Sequence, residues 1–371
     1  MELESVKKKL ISIIEISSSF NNRNTLDELL VQIANKSIDI LDCERVSLFI
    51  LDKTNKLLWS KVAIGAGRIE VPYEQGIVGY CARSGKIVNI KDAYTNKYFD
   101  KSVDQRTGYK TKTIICLPLI ALNGEILGVF EAINKKKAVF NDDDIQITQV
   151  YCTTIARAIE NSKLYQELKT TFYNFLETLA SAIDARHPIT SGHSRRVTNI
   201  AMRIGNAFGL PEKDIEKLRI AGLLHDIGKI GISDSILKKH GKLTTEEYSE
   251  MKRHPLITYY ILRNINFPEG KEDIPFIASH HHERPDGKGY PDGLLSNEIP
   301  LLAKILAIAD IFEALSAKRE YKEPFDLPKI KRILSEEKGK QVDGEVVDKF
   351  FTIIDDVFKE TKIAQKEVSL F

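Results

Sequence analysis

Histidine placement constrains this chain more than any other feature. All eight histidines lie between His187 and His282, and none precedes them. Imidazole chemistry is therefore confined to one stretch of the second half. The segment LRIAGLLHDIGKIGI carries a helical apolar pattern into His225-Asp226, with Gly228 as the stop signal. His193 follows the turn ITSG, His254 precedes Pro255, and His280, His281 and His282 stand in sequence. Asp310 sits in AKILAIADIFEAL, inside an apolar helix predicted from Pro300 to Ala317. A carboxylate buried there needs a cation or a strong donor beside it. One histidine near an apolar face is usually a core residue, but this many with two aspartates points to metal. Imidazole and carboxylate without thiolate suit iron, manganese, zinc or nickel. The donors outnumber what one ion can use, so two ions are expected, with Asp226 bridging them at ~3.5–4 Å, where a shared water can attack a phosphodiester in line.

The rest of the chain has a different pattern. Its 371 residues fit two domains, and 54 basic against 52 acidic side chains leave a formal charge of only +2. No like-charge run suggests a nucleic-acid arm or an anionic-membrane patch. Cys43, Cys81, Cys116 and Cys152 have no paired spacing and read as small apolar fillers in a reduced interior. No stretch approaches ~18 uninterrupted apolar residues, so a cytoplasmic protein is expected. Short β-branched runs at 45–51, 86–90, 113–120 and 126–133, with the turn pair Asn123-Gly124, predict an α+β first half around an antiparallel sheet. From 142 to 185 a connecting helix is predicted. Its apolar positions Tyr165, Leu168, Phe172, Phe175, Leu179 and Ala182 alternate at three and four, the seam of a helix that pairs with another helix. The alternatives are packing on its own domain and a parallel dimer stalk. After Thr190 the chain reads as helices joined by Gly and Pro loops.

The second half resembles the HD-GYP domains, a group that hydrolyses the bacterial second messenger cyclic di-GMP. The likeness rests on HDIGKIGI at 225 to 232, ILKKHGKLTTEEYSEMKRHP at 236 to 255, HHHERPDGKGYPDGL at 280 to 294, and ILAIADIFEALSAKREYK at 305 to 322. It implies an all-α domain over 170–371. It also implies His193, His225, Asp226 and Asp310 around one metal, and Asp226, His254, His280 and His281 around the other, with iron the first choice and manganese the next. Lys229 would stabilise phosphoryl charge or assist the leaving oxygen. Arg319 and Lys322 would meet substrate phosphates or are surface charges. Gly289-Tyr290-Pro291 gives the group its name; Tyr290 can stack on guanine, while Arg284 and Asp286 contact substrate or shape the loop. His187, His240 and His282 are taken as non-ligands. Some members place a third-metal glutamate four residues before the first metal histidine; here that position is Ile189, so two metals are expected. Whether cleavage ends at pGpG or GMP stays open.

The first half looks like a GAF domain over 1–165, a sensing and dimerisation module. The likeness rests on GIVGYCARSGKIVNIKDA, VDQRTGYKTKTIICLPL and NGEILGVFEAINK. It implies a homodimer and a small-molecule site, with a cyclic nucleotide the leading ligand. Asn134, Lys135, Phe140 and Asp144 match a pattern in which a Lys-Asp pair fixes either a ligand lid or an ordinary structural bridge. The rival functions are hydrolysis of another cyclic dinucleotide or nucleotide, and a catalytically silent receptor.

Overall fold

The computed structural model describes residues 26–63, 69–186, 192–317 and 323–368. They form two compact units that divide between Lys169 and Thr170. In the first unit, α1 (Leu26–Leu41) precedes β1 (Cys43–Asp52), β2 (Leu57–Ala63), β3 (Glu70–Pro72), α2 (Gly76–Ser84), β4 (Val88–Ile90), α3 (Lys101–Thr107), β5 (Ile114–Ile120) and β6 (Ile126–Lys135). The strands build one antiparallel sheet in the order β3-β2-β1-β6-β5-β4. β2 and β3 add to the strands expected from sequence. Register sets Leu48 opposite Phe130 and Val46 opposite Ala132. Side chains alternate faces along a strand, so these residues share one face, with Leu30 and Ile33 of α1. Phe49 and Val129 point to the other face, against Ile77 and Cys81 of α2. Each such large apolar side chain, fully buried, contributes about 1.5–3 kcal/mol. All four cysteines are buried and unpaired. Burial pushes the Cys43 and Cys81 thiols up to about 12, which keeps them inert.

α4 (Asp142–Asp184) starts in the first unit and ends in the second. It contains neither Gly nor Pro, and three aspartates in its first turn complement the helix dipole. Tyr151 and Ile155 are buried in the sheet-side core, while Tyr173, Leu176 and Ala180 join the core of the second unit. Tyr165, Leu168, Phe172 and Phe175 form an exposed stripe.

The described part of the second unit then runs α5 (His193–Ala207), α6 (Glu212–Leu224), a 3-10 turn (Ile227–Gly231), α7 (Asp234–Leu237), α8 (Thr245–Met251), α9 (His254–Leu262), α10 (Ile274–Ser279), α11 (Leu301–Ser316), α12 (Leu327–Glu336), α13 (Gly344–Phe351) and α14 (Ile354–Val368). Val197, Ala201 and Ile204 of α5 pack with Leu218 of α6, Ile305 and Phe312 of α11, and Phe350 of α13. The architecture is the expected α+β sheet module joined by a long helix to an all-α domain. No described helix is long and apolar enough to cross a membrane.

Candidate metal centre

Four helix ends and one helix middle converge on a buried polar site. α6 stops at Leu224, so His225 caps it and Asp226 leads into the 3-10 turn. Gly228 is therefore no helix stop signal. Its role is close approach: a Cβ there would lie 1.9 Å from the His254 carbonyl oxygen. That contact, with the Gly228 amide donating to Thr258 Oγ1 at 3.0 Å, seats the first turn of α9 against Asp226. His193 opens α5, and its neighbour Ser194 donates from backbone and hydroxyl to buried Asp184 at 3.1 and 2.9 Å. Asp310 and Glu313 project from one face of α11 at helical spacing.

Three imidazoles are aligned in the same way. The Nδ1 of His225 donates to Gly222 O at 2.7 Å, that of His254 to Met251 O at 2.8 Å, and that of His281 to Ala278 O at 2.7 Å. A carbonyl only accepts, so Nδ1 carries the proton and Nε2 presents a lone pair. All three Nε2 atoms, and Asp226 Oδ1, are buried without a hydrogen-bond partner. Asp226 Oδ1 lies 3.2 Å from His254 Nε2, and Oδ2 lies 3.3 Å from His225 Nε2. Lone pairs facing each other at that distance in a dry site are repulsive unless a cation sits between them, so these donors fit divalent metal.

Donor atoms cluster as His193, His225 and Asp310, as His254, His281 and His282, and as His225, Asp226 and His281. Two outer trios are thus joined through a group containing Asp226. One sequence expectation is corrected here. His280 turns away: its ring stacks on Phe276 one helical turn earlier, at 3.7 Å between centroids. Its Nδ1 meets Phe276 O at 2.7 Å and its Nε2 meets Asp292 at 2.9 Å. His282, taken as a spare residue, stands in the ligand trio. His280 is the C-cap of α10 and stays within stacking reach of Phe276, whereas His281 and His282 lie past the cap.

The electrostatics suit cations. Burial works against charge on Asp226, yet Lys229 and His225 hold its carboxyl well below the usual range. Asp310 is likewise held low, with the His193 bond overcoming burial. Burial, reinforced by His254, pushes His282 down to about 3, so its imidazole is neutral and able to ligate. Burial also opposes protonation of His193, but Asp310 at 3.2 Å and Glu313 at 2.7 Å push it up to about 10. Lys229 Nζ pairs with Asp226 Oδ2. Tyr290 lies 4.7 Å from the His282 ring, and the Lys252 ammonium lies 5.3 Å from the Tyr290 ring. Arg284 makes a two-bond pair with Asp286 at 3.0 and 2.7 Å, so these residues grip each other. Gly289 presses on Glu283, where a Cβ would meet Arg284 N at 2.4 Å. Glu283 in turn accepts from the amides of Asp292, Gly293 and Leu294, beyond Pro291. Ile189, Arg319 and Lys322 lie outside the described residues.

In the first unit a cavity of about 560 Å³ is lined by Arg45, Phe49, Phe99, Tyr109, Ile114 and Glu131, among others. None of Asn134, Lys135, Phe140 and Asp144 is among its lining residues. They form a clasp instead. Asn134, at φ 57, accepts from Lys112 N and donates to Glu44 and Lys110 O. Lys135 Nζ bonds Asp144, which also caps α4 by accepting from Asn141 N. Phe140 is buried in the sheet-side core. These contacts favour the structural-bridge alternative over the lid.

Residues 177–346 match the HD domain family, and residues 25–159 match the GAF domain family. The chain joins a GAF domain to an HD domain. Three curated relatives are similar to about half of this chain. The cyclic di-GMP phosphodiesterase response regulator RpfG of Xanthomonas campestris is 42% identical over 47% of this chain and 46% of its own length. A cyclic di-GMP phosphodiesterase of Thermotoga maritima is 39% identical, over 54% of this chain and 55% of its own. The 3'3'-cGAMP-specific phosphodiesterase 2 of Vibrio cholerae is 36% identical, over 55% of this chain and 39% of its own. The chain therefore spans about half or less of the length of these curated relatives.

Within the HD domain the sequence reading missed Glu313, which holds His193 Nδ1 and is itself held by Arg196 at 2.7 Å. The signal was present: Glu313 follows Asp310 by three residues in an apolar helix, so both face the same site. In the GAF domain it did not single out Glu131, which stands inside NGEILGVFEAINK. Burial pushes that carboxyl up to about 7.

Proposed function

We propose that this protein is a metal-dependent phosphodiesterase that hydrolyses cyclic di-GMP to pGpG or GMP under the control of its GAF domain. The observation that carries the reading is the set of buried, unpartnered donors at His225, Asp226, His254 and His281. His193, His225 and Asp310 would hold one ion, and His254, His281 and His282 the other, with Asp226 shared. Iron is the first choice and manganese the second, because imidazole and carboxylate oxygen suit both. Bound ions would neutralise phosphodiester charge and lower the pKa of water. The chain's own groups do the rest. Glu313 orients His193, Lys229 faces the position where charge builds on the phosphoryl group, and Tyr290 offers a ring for a guanine at the rim. Water oxygen forms the new P–O bond as the bond to the ribose 3′-oxygen breaks; a second cycle on pGpG would yield GMP.

A second reading, hydrolysis of 3'3'-cGAMP, is favoured by the relative from Vibrio cholerae that carries that name. Elemental analysis of anaerobically purified protein, followed by incubation with a cyclic-dinucleotide panel and separation of products, tests both. Two metal equivalents and turnover of cyclic di-GMP support the main reading. Turnover of cGAMP alone selects the second, and no turnover of either removes both.

The GAF cavity is the place for a regulatory small molecule. Glu131 in its wall favours a face bearing N–H donors, such as the base edge of a cyclic nucleotide, over a phosphate. The exposed stripe on α4 would pair with a second copy to give a homodimer.

A further inference from the structure

We infer that Arg186, just beyond the end of α4, is a positioning residue for Lys229, and that the last turn of α4 sets the geometry of the metal centre through two separate polar contacts. This rests on the phosphodiesterase reading above. One guanidinium holds the stretch that carries Lys229. Arg186 Nη1 donates to Lys229 O at 3.1 Å and Ile230 O at 2.9 Å, and Nη2 donates to Ile232 O at 3.2 Å and to the Asp234 carboxylate at 2.7 Å. A planar fork with fixed donor directions dictates where its acceptors stand, which a lysine's rotatable ammonium cannot do. Lys229 reaches Asp226 from this turn. Moving the turn therefore moves the ammonium relative to the reacting phosphoryl group.

The same helix end grips a second segment of the site. Asp184 accepts from Ser194 N and Oγ, the residue after His193. Just before these polar grips in the chain, Ala180 and Ile183 line a narrow cleft with Leu223, Leu224, Ile227 and Asp226. Three consecutive contacts thus tie the end of α4 to the start of α5, to the end of α6 and to the Lys229 turn. A small rotation or shift of α4 would reach Lys229 through Arg186 and His193 through Asp184. Packed elements of this kind pass displacement on instead of absorbing it.

The test uses full-length, metal-loaded protein carrying Arg186→Ala, Arg186→Lys, Lys229→Ala, and Arg186→Ala with Lys229→Ala. Arg186→Ala is expected to keep both metals and KM while kcat for cyclic di-GMP falls roughly 10- to 100-fold, the cost of a misplaced group. Arg186→Lys should not restore it. In the Lys229→Ala background, Arg186→Ala should slow turnover no further, because its effect runs through the lysine. A merely structural arginine would lower kcat by the same factor in both backgrounds, and that result would overturn the inference. Hydrogen–deuterium exchange supplies a readout independent of turnover. Faster exchange across 227–234 in Arg186→Ala, with 254–262 unchanged, is expected, and unchanged exchange at 227–234 also overturns the inference. Failure of the wild type to hydrolyse any cyclic dinucleotide would instead count against the phosphodiesterase reading, and the exchange arm would still decide the role of Arg186.

Discussion

His280 and His282 differ by two positions and by everything that matters to a ligand. His280 spends both ring nitrogens on Phe276 O and Asp292, whereas His282 stands with His254 and His281. His282→Ala should therefore lose about one metal equivalent by elemental analysis, while His280→Ala keeps two; the reverse pattern would restore the sequence assignment. Asp226→Ala should lose both metals and activity together. Lys229→Ala should retain both metals and lower kcat by about 10²–10³, the scale for removing one group that stabilises transition-state charge. Titration should expose the site once metal is stripped. His282 is pushed down to about 3 from 6.5, so below pH 6.5 the unfolded chain binds more protons and stability falls with pH. His193 is pushed up to about 10, so above pH 6.5 the folded chain binds more protons and stability falls as pH rises. The melting temperature of chelated protein should then peak near pH 6.5, and a flat profile would contradict both directions. Of these residues, the histidines and aspartates were legible because metal chemistry limits the residue types. The choice among three adjacent histidines was not, since it depends on where α10 ends. The Phe276-His280 spacing of one helical turn was the missed signal.

At the scale of elements, α4 was readable from end to end because it lacks Gly and Pro and carries two apolar faces. One face is buried, and the other leaves Leu168 and Phe175 about two-thirds exposed. A glutamate at both positions should shift light-scattering mass from dimer to monomer without loss of helicity; an unchanged dimer would place the interface elsewhere. β3 was less legible, being three residues long at the sheet edge, whereas β2 is an inner strand whose alternation of buried and half-buried residues was present and overlooked. The clasp at the start of α4 makes a separate prediction. Lys135→Met breaks a largely buried pair with Asp144 and should destabilise the GAF domain by about 3 kcal/mol, read by urea unfolding. Affinity for any cavity ligand should stay the same, whereas a lid would lose it.

The whole molecule divides its chemistry as its sequence divides its histidines. Each unit has its own core, and that of the HD domain runs from Tyr173 to Val357 without a contribution from the sheet. A fragment of residues 170–371 should therefore unfold cooperatively and bind metal, checked by calorimetry and elemental analysis. Loss of its cooperative transition would mean that the sheet module is needed for folding. Fold class and domain order were legible at this scale because period-two and period-3.6 patterns hardly overlap along the chain. The GAF cavity was not, since its wall is assembled from β1, β3, β5, β6, α2, α3 and the loops between them.

The Nδ1 bonds of His225, His254 and His281 all end on main-chain carbonyls three residues earlier. Ligand orientation at these positions is thus written into backbone geometry and survives replacement of most neighbouring side chains. The rim can drift in sequence while the three Nε2 atoms keep their aim on Asp226 and its neighbours.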